Sequence, residues 1–235
     1  MNTVKTQLKL AGQQGVSLVE VLVTLVVGLV LLGGVTSLLI GGKQMNRTHD
    51  DVSHMQESGR YALEILSKVI RQAGFRLDPD VNFSGTALTG VNGAGGASDT
   101  LTIQYDAQSG GETDCAGTAV AAGLVTSAFR VDRGVNPPTL LCNETVVVDN
   151  IEDLQITYGI GDGSGAITAY KAAPTAAEFA QVVAVRISLL VRGTALDTAA
   201  NKSQTYAYNG VTVTTTDGYL RQIYTTTITA RNLAG

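Results

Sequence analysis

The 235-residue sequence predicts an α+β protein in which one long N-terminal helix packs on an antiparallel β-sheet domain. Three patterns predict this fold class. Residues 21–42 carry no charge and are rich in Val and Leu, an apolar stripe at helical spacing follows them, and period-two alternation recurs after residue 100. A hydrophobic share of 44% with 15% charged residues is typical of a chain that folds around a core.

The uncharged run at 21–42 is long enough to cross a membrane. As a helix at ~1.5 Å per residue it spans about 33 Å, against a hydrocarbon thickness of about 30 Å. Lys5 and Lys9 precede the run and no acid occurs before Glu20, so the positive-inside rule keeps the N-terminus in the cytoplasm. Everything after about Lys43 is then expected outside the cytoplasm.

Two ordinary explanations of this N-terminus meet difficulties. A secretory signal peptide has an apolar segment of roughly 7–15 residues, which is shorter than the run at 21–42. A plain membrane anchor explains the length and the orientation but not Glu20, because an acid at the centre of a membrane helix costs on the order of 2.5–3.5 kcal/mol, and less near the interface. Either Glu20 has a partner, or it sits hydrated at headgroup depth.

Residues 43–75 continue the helix as an amphipathic segment. Its apolar positions recur at alternating steps of three and four, which makes one face of the helix apolar. They are Val52, Met55, Gly59, Ala62, Leu66, Val69 and Ala73. Asp51 and most other charged residues of the segment are expected on the polar faces. The whole helix is expected to span 16–73, because Gly74 and then Pro79 stop it.

Residues 76–235 are expected to form a β-rich domain. A Gly-, Ala-, Asn- and Ser-rich stretch at 81–98 is typical of a loop. Six later segments are rich in Val, Ile, Thr and Tyr and predict strands. They are residues 100–106, 119–131, 151–160, 181–192, 205–215 and 219–231. The alternation is clearest at residues 183–191 and 154–160, where it predicts one buried face, and local pairing in an antiparallel order fits best.

The two cysteines, Cys115 and Cys142, enclose 26 residues. If the predicted topology holds, they face an oxidising compartment, where a disulfide is the expected state. Closing a loop of that size stabilises a fold by roughly 3–4 kcal/mol in the chain-entropy model. The alternative is a pair of buried free thiols.

The sequence gives little support for a metal site, a nucleotide-binding motif or a catalytic site. His49 and His54 are five positions apart, so they do not share a helix face as metal ligands do. Several acids lack the spacing of a calcium loop, and the segment at 162–165 is better explained as a turn. These acids are Asp149, Glu152, Asp153 and Asp162. No P-loop, dinucleotide fingerprint or catalytic pair appears, and a net charge of -4 offers no basic surface to nucleic acid. We therefore expect no enzyme, no cofactor, no metal and no nucleic-acid partner.

The segment Gly15-Val16-Ser17-Leu18-Val19-Glu20 lies between the basic leader and the apolar helix and resembles a type IV prepilin signal. The resemblance implies that prepilin peptidase cleaves between Gly15 and Val16, and that Val16 is then N-methylated. Val16 stands where this family most often has Phe. The resemblance also implies an assembly role for Glu20, whose carboxylate pairs with the N-terminus of a neighbouring subunit.

Later blocks of the sequence resemble the PilW family of minor pilins, and the likeness covers nearly all of the chain outside 81–98 and 195–209. The blocks are residues 56–62, 70–75, 114–115, 129–131, 140–142, 148–159, 182–192 and 220–232. The resemblance implies a type IV pilin-like fold and a minor pilin that helps to initiate type IV pilus assembly, in a complex at or beneath the pilus tip. The implied partners are other minor pilins, the major pilin, prepilin peptidase, the inner-membrane assembly platform and, before assembly, membrane lipid.

Four segments follow from these observations. They are a prepilin leader at 1–15, a transmembrane or filament-core half of the helix at 16–42, an amphipathic half at 43–75, and an extracytoplasmic β-rich domain at 76–235. The implied location is the bacterial inner membrane, with the C-terminal domain in the periplasm, and later the pilus. Two alternatives remain open, namely a pseudopilin of a type II secretion system and a membrane-anchored periplasmic binding module.

Overall fold

The structure is a computed structural model, and it describes residues 15–78, 80–108, 112–196 and 203–233. Residues 1–14 of the predicted leader and Pro79, which was expected to help end the helix, lie outside the described residues. The chain divides into two compact units, Met1–Arg47 and Thr48–Gly235.

Helix α1 spans Leu18–Gln72 and contains 55 residues. Its bounds lie within two residues of the predicted start and one residue of the predicted end. In the first unit its large apolar side chains, from Leu18 to Met45, are 50–79% exposed. Apolar side chains on every face of this stretch agree with the uncharged run in the sequence and differ from the one-sided pattern of a surface helix.

The stretch of α1 in the second unit is one-sided. Its apolar stripe is buried, as the three-and-four spacing predicts. The buried side chains are Met55, Ala62, Leu66, Val69 and Ile70, followed by Ala73 just past the helix, and Gly59 lies among them. Val52 is half-buried at the edge of the stripe. Asp51 is 3% exposed, so the prediction that it lies on an exposed polar face is wrong. Gly74 has a φ of 69°, which suits glycine at the end of a helix.

Eleven strands are described, and all of their pairings are antiparallel. Their bounds are β1 Leu88–Val91, β2 Thr100–Ala107, β3 Gly123–Asp132, β4 Thr139–Cys142, β5 Thr145–Asp149, β6 Ile151–Gly161, β7 Ile167–Lys171, β8 Val182–Leu196, β9 Gln204–Tyr208, β10 Val211–Thr215 and β11 Tyr219–Thr229. A short helix, α2, spans Ala176–Phe179. The predicted fold class, a long helix with an antiparallel sheet domain, is confirmed.

The strands form three sheets. One has the order β1-β2-β3-β4-β5, one has the order β11-β8-β6-β7, and the third pairs β9 with β10. The core of the second unit lies between α1 and the inner faces of the two larger sheets, and its largest fully buried side chains include Tyr105, Tyr158 and Phe129. The chain contains no Trp, so these rings are the largest apolar groups in the core.

The prediction of one continuous strand at 205–215 is wrong. The segment 205–215 is a hairpin, because Asn209 and Gly210 form a two-residue loop with φ values of 50° and 75°. An Asn-Gly pair suits such a loop, since both positions need positive φ. Strands β1, β4, β5 and β7 were not predicted, and β1 falls in the stretch expected to be loop.

Candidate functional site

The segment before α1 leaves the Gly15–Val16 peptide bond accessible. Helix α1 begins at Leu18, and its first turn is closed by the backbone N–H of Val21, which donates to the carbonyl oxygen of Ser17 at 3.2 Å. Gly15 and Val16 precede this turn outside regular secondary structure, and Val16 is 69% exposed. Exposed, irregular backbone is the kind that a protease binds.

Glu20 lies in the first turn of α1. Unpaired backbone N–H groups at a helix start favour a carboxylate there. Its side chain is exposed among apolar neighbours, and it forms no ion pair with any residue that the structure describes. An apolar setting makes an uncompensated charge costly, so a cation close to Glu20 would stabilise its carboxylate inside a membrane or a helix bundle.

The apolar surface of the first unit is uncovered within the chain. Its most apolar window of 18 residues has a mean hydropathy of 2.6, and none of it is buried. A soluble protein rarely exposes so continuous an apolar surface. The helix is therefore long and apolar enough to cross a membrane, and its side chains can be covered by lipid or by other helices.

In the second unit, Asp51 fixes α1 to the end of β8. The backbone N–H of Thr194 donates to Oδ1 of Asp51 at 2.5 Å, and the Thr194 hydroxyl donates to the same oxygen at 2.9 Å. Gly193 lies against the carboxylate, where a Cβ atom would collide with it. The buried carboxylate is thus satisfied by donors that are far away in sequence.

Cys115 and Cys142 form a disulfide, with their Cα atoms 5.9 Å apart. Cys142 is fully buried at the end of β4, whereas Cys115 lies in a turn that follows β2. The same turn is held by Asp114, whose Oδ1 accepts hydrogen bonds from the backbone N–H groups of Ala116 and Thr118. The disulfide therefore fastens a separately formed turn to the sheet.

Arg221 is the buried centre of an ionic cluster that the sequence does not reveal. Its side chain is 2% exposed and binds both oxygens of Glu152, at 2.6 and 3.0 Å. It also donates to both oxygens of Asp217, at 2.8 and 2.5 Å. These hydrogen bonds from Arg221 lower the pKa of Asp217 to about 2. Burial works to lower the pKa of Arg221, but the hydrogen bonds to Asp217 and Glu152 raise it overall.

Three of the four acids considered for calcium, Glu152, Asp153 and Asp162, have other partners, and the fourth, Asp149, is exposed. Glu152 binds Arg221, and Asp153 binds Arg133. Asp162 accepts hydrogen bonds from the backbone N–H and the hydroxyl of Ser164, which agrees with a turn. Among the described residues no group of three or more His, Cys, Asp or Glu side chains is arranged to hold a metal ion.

Comparison with known proteins finds similarity to two family models and to solved structures. Residues 120–232 match the family model described as Type IV Pilus-assembly protein W. Residues 10–36 match the prokaryotic N-terminal methylation motif. Among solved structures, the type IV-like pilin TTHA1219 from Thermus thermophilus is similar with a TM-score of 0.50 and 16% identity, covering 80% of this chain and 99% of that one. At this identity the likeness shows the fold alone. No curated protein matches the chain.

Proposed function

We propose that this chain, which belongs to the PilW family of type IV minor pilins, takes part in initiating type IV pilus assembly, within a minor-pilin complex at or beneath the pilus tip. The observation that carries the proposal is the N-terminal stretch of α1. It has apolar side chains exposed on all faces and one acid, Glu20, without an ionic partner among the described residues. Such a helix needs neighbouring helices and a neighbouring cation.

Cleavage supplies that cation. Hydrolysis of the Gly15–Val16 bond leaves a new α-amine on Val16, whose ordinary pKa near 8 keeps it largely cationic at neutral pH. Glu20 follows Val16 by four residues, so in a bundle of parallel helices an axial step between subunits places one chain's amine beside another chain's carboxylate. The pair removes the cost of an isolated carboxylate in apolar surroundings.

The proposed location is the inner membrane before assembly, with residues after about Lys43 in the periplasm. Lys5 and Lys9 before the span support this orientation. The disulfide between Cys115 and Cys142 supports it independently, because disulfides persist in oxidising compartments and are rare in the cytoplasm.

The variant Glu20→Ala tests the assembly role. We expect normal leader removal and normal membrane insertion but a loss of surface pili, counted by electron microscopy in the native host. Glu57→Ala is the matched control, since Glu57 is an exposed acid on the same helix in the second unit. Normal piliation with Glu20→Ala would overturn the proposal. A deletion of the gene distinguishes the two systems. If the deletion leaves piliation normal and abolishes protein secretion, the chain belongs to a secretion system instead.

A further inference from the structure

A cavity lies between the β9–β10 hairpin and the outer face of the β11-β8-β6-β7 sheet. Its volume is about 560 Å³, within the range of roughly 300–1,000 Å³ that is typical of small-molecule sites. We call it the hairpin cavity. Its floor is formed by Asp153 and Gln155 of β6 and by Leu190 of β8, and in the sheet register Asp153 lies directly opposite Leu190.

The roof of the hairpin cavity is one face of the hairpin. Residues directly paired across β9 and β10 share a face. Tyr206 pairs with Val213 and Tyr208 pairs with Val211, and all four line the cavity. The roof therefore combines two aromatic rings with two aliphatic side chains.

The hairpin is fastened to the sheet at both ends, so the space beneath it is defined. At the open end the side-chain amide of Gln204 donates to the carbonyl oxygen of Arg221 and accepts from its backbone N–H, each at 2.8 Å. At the turn Asn209 donates to Gln155 at 2.9 Å, and the Tyr208 hydroxyl donates to the carbonyl oxygen of Ser188 at 3.0 Å. Preorganised walls of this kind reduce the ordering cost of binding.

Every charged side chain described in the wall of the hairpin cavity is already paired. Arg133 forms an ion pair with Asp153 and donates to the carbonyl oxygens of Glu152 and Gly96, both at 2.9 Å. The Glu152 carboxylate is bound at both oxygens by Arg221. An anion or a cation entering the cavity would lose its hydration without meeting an uncompensated charge. The wall therefore favours a neutral ligand.

The wall also keeps hydrogen-bonding groups available beside its apolar surfaces. The Tyr206 hydroxyl makes no hydrogen bond to any described residue. Burial raises the pKa of Tyr206, so this hydroxyl stays a donor at neutral pH. Asn92 is exposed at the rim of the cavity, where its side-chain amide can donate and accept hydrogen bonds. Aromatic rings next to amides and a free hydroxyl suit a ligand with apolar C–H faces and many hydroxyl groups.

We propose that the hairpin cavity binds a neutral oligosaccharide, with the sugar ring against Tyr206 and Val213 and its hydroxyl groups on Tyr206 and Asn92. This role is independent of the assembly role of Glu20, because the cavity is built entirely from residues of the second unit.

The test is isothermal titration of the full chain in a zwitterionic, sugar-free detergent, with maltotriose and N,N′-diacetylchitobiose as neutral probes and digalacturonic acid as the acidic probe. We expect saturable binding of at least one neutral probe, at least tenfold tighter than the acid. Tyr206→Ala should weaken binding tenfold or more, and Val213→Phe, which fills the cavity, should abolish it. Tyr61→Ala, an exposed tyrosine on α1, is the control and should leave affinity unchanged.

Three results would overturn the proposal. They are no saturable binding of either neutral probe by the unaltered chain at about 10 mM, tighter binding of the acid than of the neutral probes, and neutral-probe binding that survives both Tyr206→Ala and Val213→Phe. Near-UV circular dichroism of the tyrosines verifies that each variant is folded. If the cavity instead binds a peptide of another pilin, neither neutral probe will bind saturably, and Val213→Phe will lose piliation.

Discussion

Gly59 lets the backbone of α1 approach the aromatic ring of Tyr224 in β11. A Cβ atom at Gly59 would lie 2.6 Å from two ring carbons of Tyr224, which is closer than atoms pack. The absence of a side chain at this position thus sets how near the helix lies to the sheet, within the second unit.

We predict that Gly59→Ala destabilises the second unit by about 1 kcal/mol. Overpacking against the Tyr224 ring costs about 1–3 kcal/mol, and the higher helix propensity of Ala offsets about 1 kcal/mol of that cost. Denaturant unfolding of the full chain in micelles, followed by circular dichroism, measures the change. In a Tyr224→Ala background the same substitution should be neutral or stabilising. An equal loss in both backgrounds would show that the Tyr224 ring is not the cause.

Asp217 gives a prediction for acid stability. Because Arg221 lowers its pKa from 3.8 to about 2 in the folded state, the folded protein binds fewer protons than the unfolded chain between these values. The contribution of Asp217 is therefore fully present above about pH 4 and is lost as the pH falls toward 2. Since the carboxylate is 43% exposed, its ion pair should contribute no more than about 1 kcal/mol.

The measurement compares the unfolding midpoints of the unaltered chain and Asp217→Asn from pH 6 to pH 2. The gap between them should be constant from pH 6 to about 4 and close below it. Asp50→Asn changes an exposed acid on α1 and serves as the control, with no expected gap. A gap for Asp217→Asn that widens as the pH falls would contradict the sign of the pKa shift.

Among the elements, the long helix and the long strands were predictable and the short strands were not. Helix α1 and strands β6, β8 and β11 each run for at least 11 residues, so the spacing of their apolar positions is visible in the sequence. Strand β4 has four residues, all buried, and a run that short shows no alternation. The Asn209-Gly210 pair is typical of a hairpin turn, but the segments on both sides of it are rich in Thr, Val and Tyr and favoured a single strand.

The buried charges were the least predictable part. Asp51 was expected at the surface because a helical wheel shows only its own helix, whereas its donor, Thr194, is 143 positions away. Arg221 meets Glu152 across 69 positions. No spacing rule links such pairs. By contrast, Gly15, Val16 and Glu20 form a local pattern, which is why the candidate processing site could be proposed from sequence.

The disulfide between Cys115 and Cys142 gives a prediction at the same scale. Reduction should lower the free energy of unfolding by about 3–4 kcal/mol, because it releases a loop of 26 intervening residues in the unfolded chain. Denaturant unfolding with and without dithiothreitol measures the effect. A variant with Ala at both cysteines should be insensitive to the reductant. Equal stability of the oxidised and reduced chains would show that the turn at Cys115 is held without the bond.

At the scale of the whole molecule, the two units have different surface chemistry. The first unit, as described from residue 15 onward, exposes its apolar side chains and buries none of its most apolar window. The second unit has a core of its own, built from α1 and both larger sheets. A folded domain whose chain continues into an uncovered apolar helix fits a subunit that moves from lipid into a bundle of like helices.

The central claim is that this chain is processed and assembled as a pilin. Its most direct test is the N-terminal mass of the protein extracted from membranes of its native host, with prepilin peptidase present and absent. The account predicts a peptide that begins at Val16, with an added methyl group, only when the peptidase is present. A peptide that begins at Met1 in both strains would leave an anchored domain and contradict the role given to Glu20.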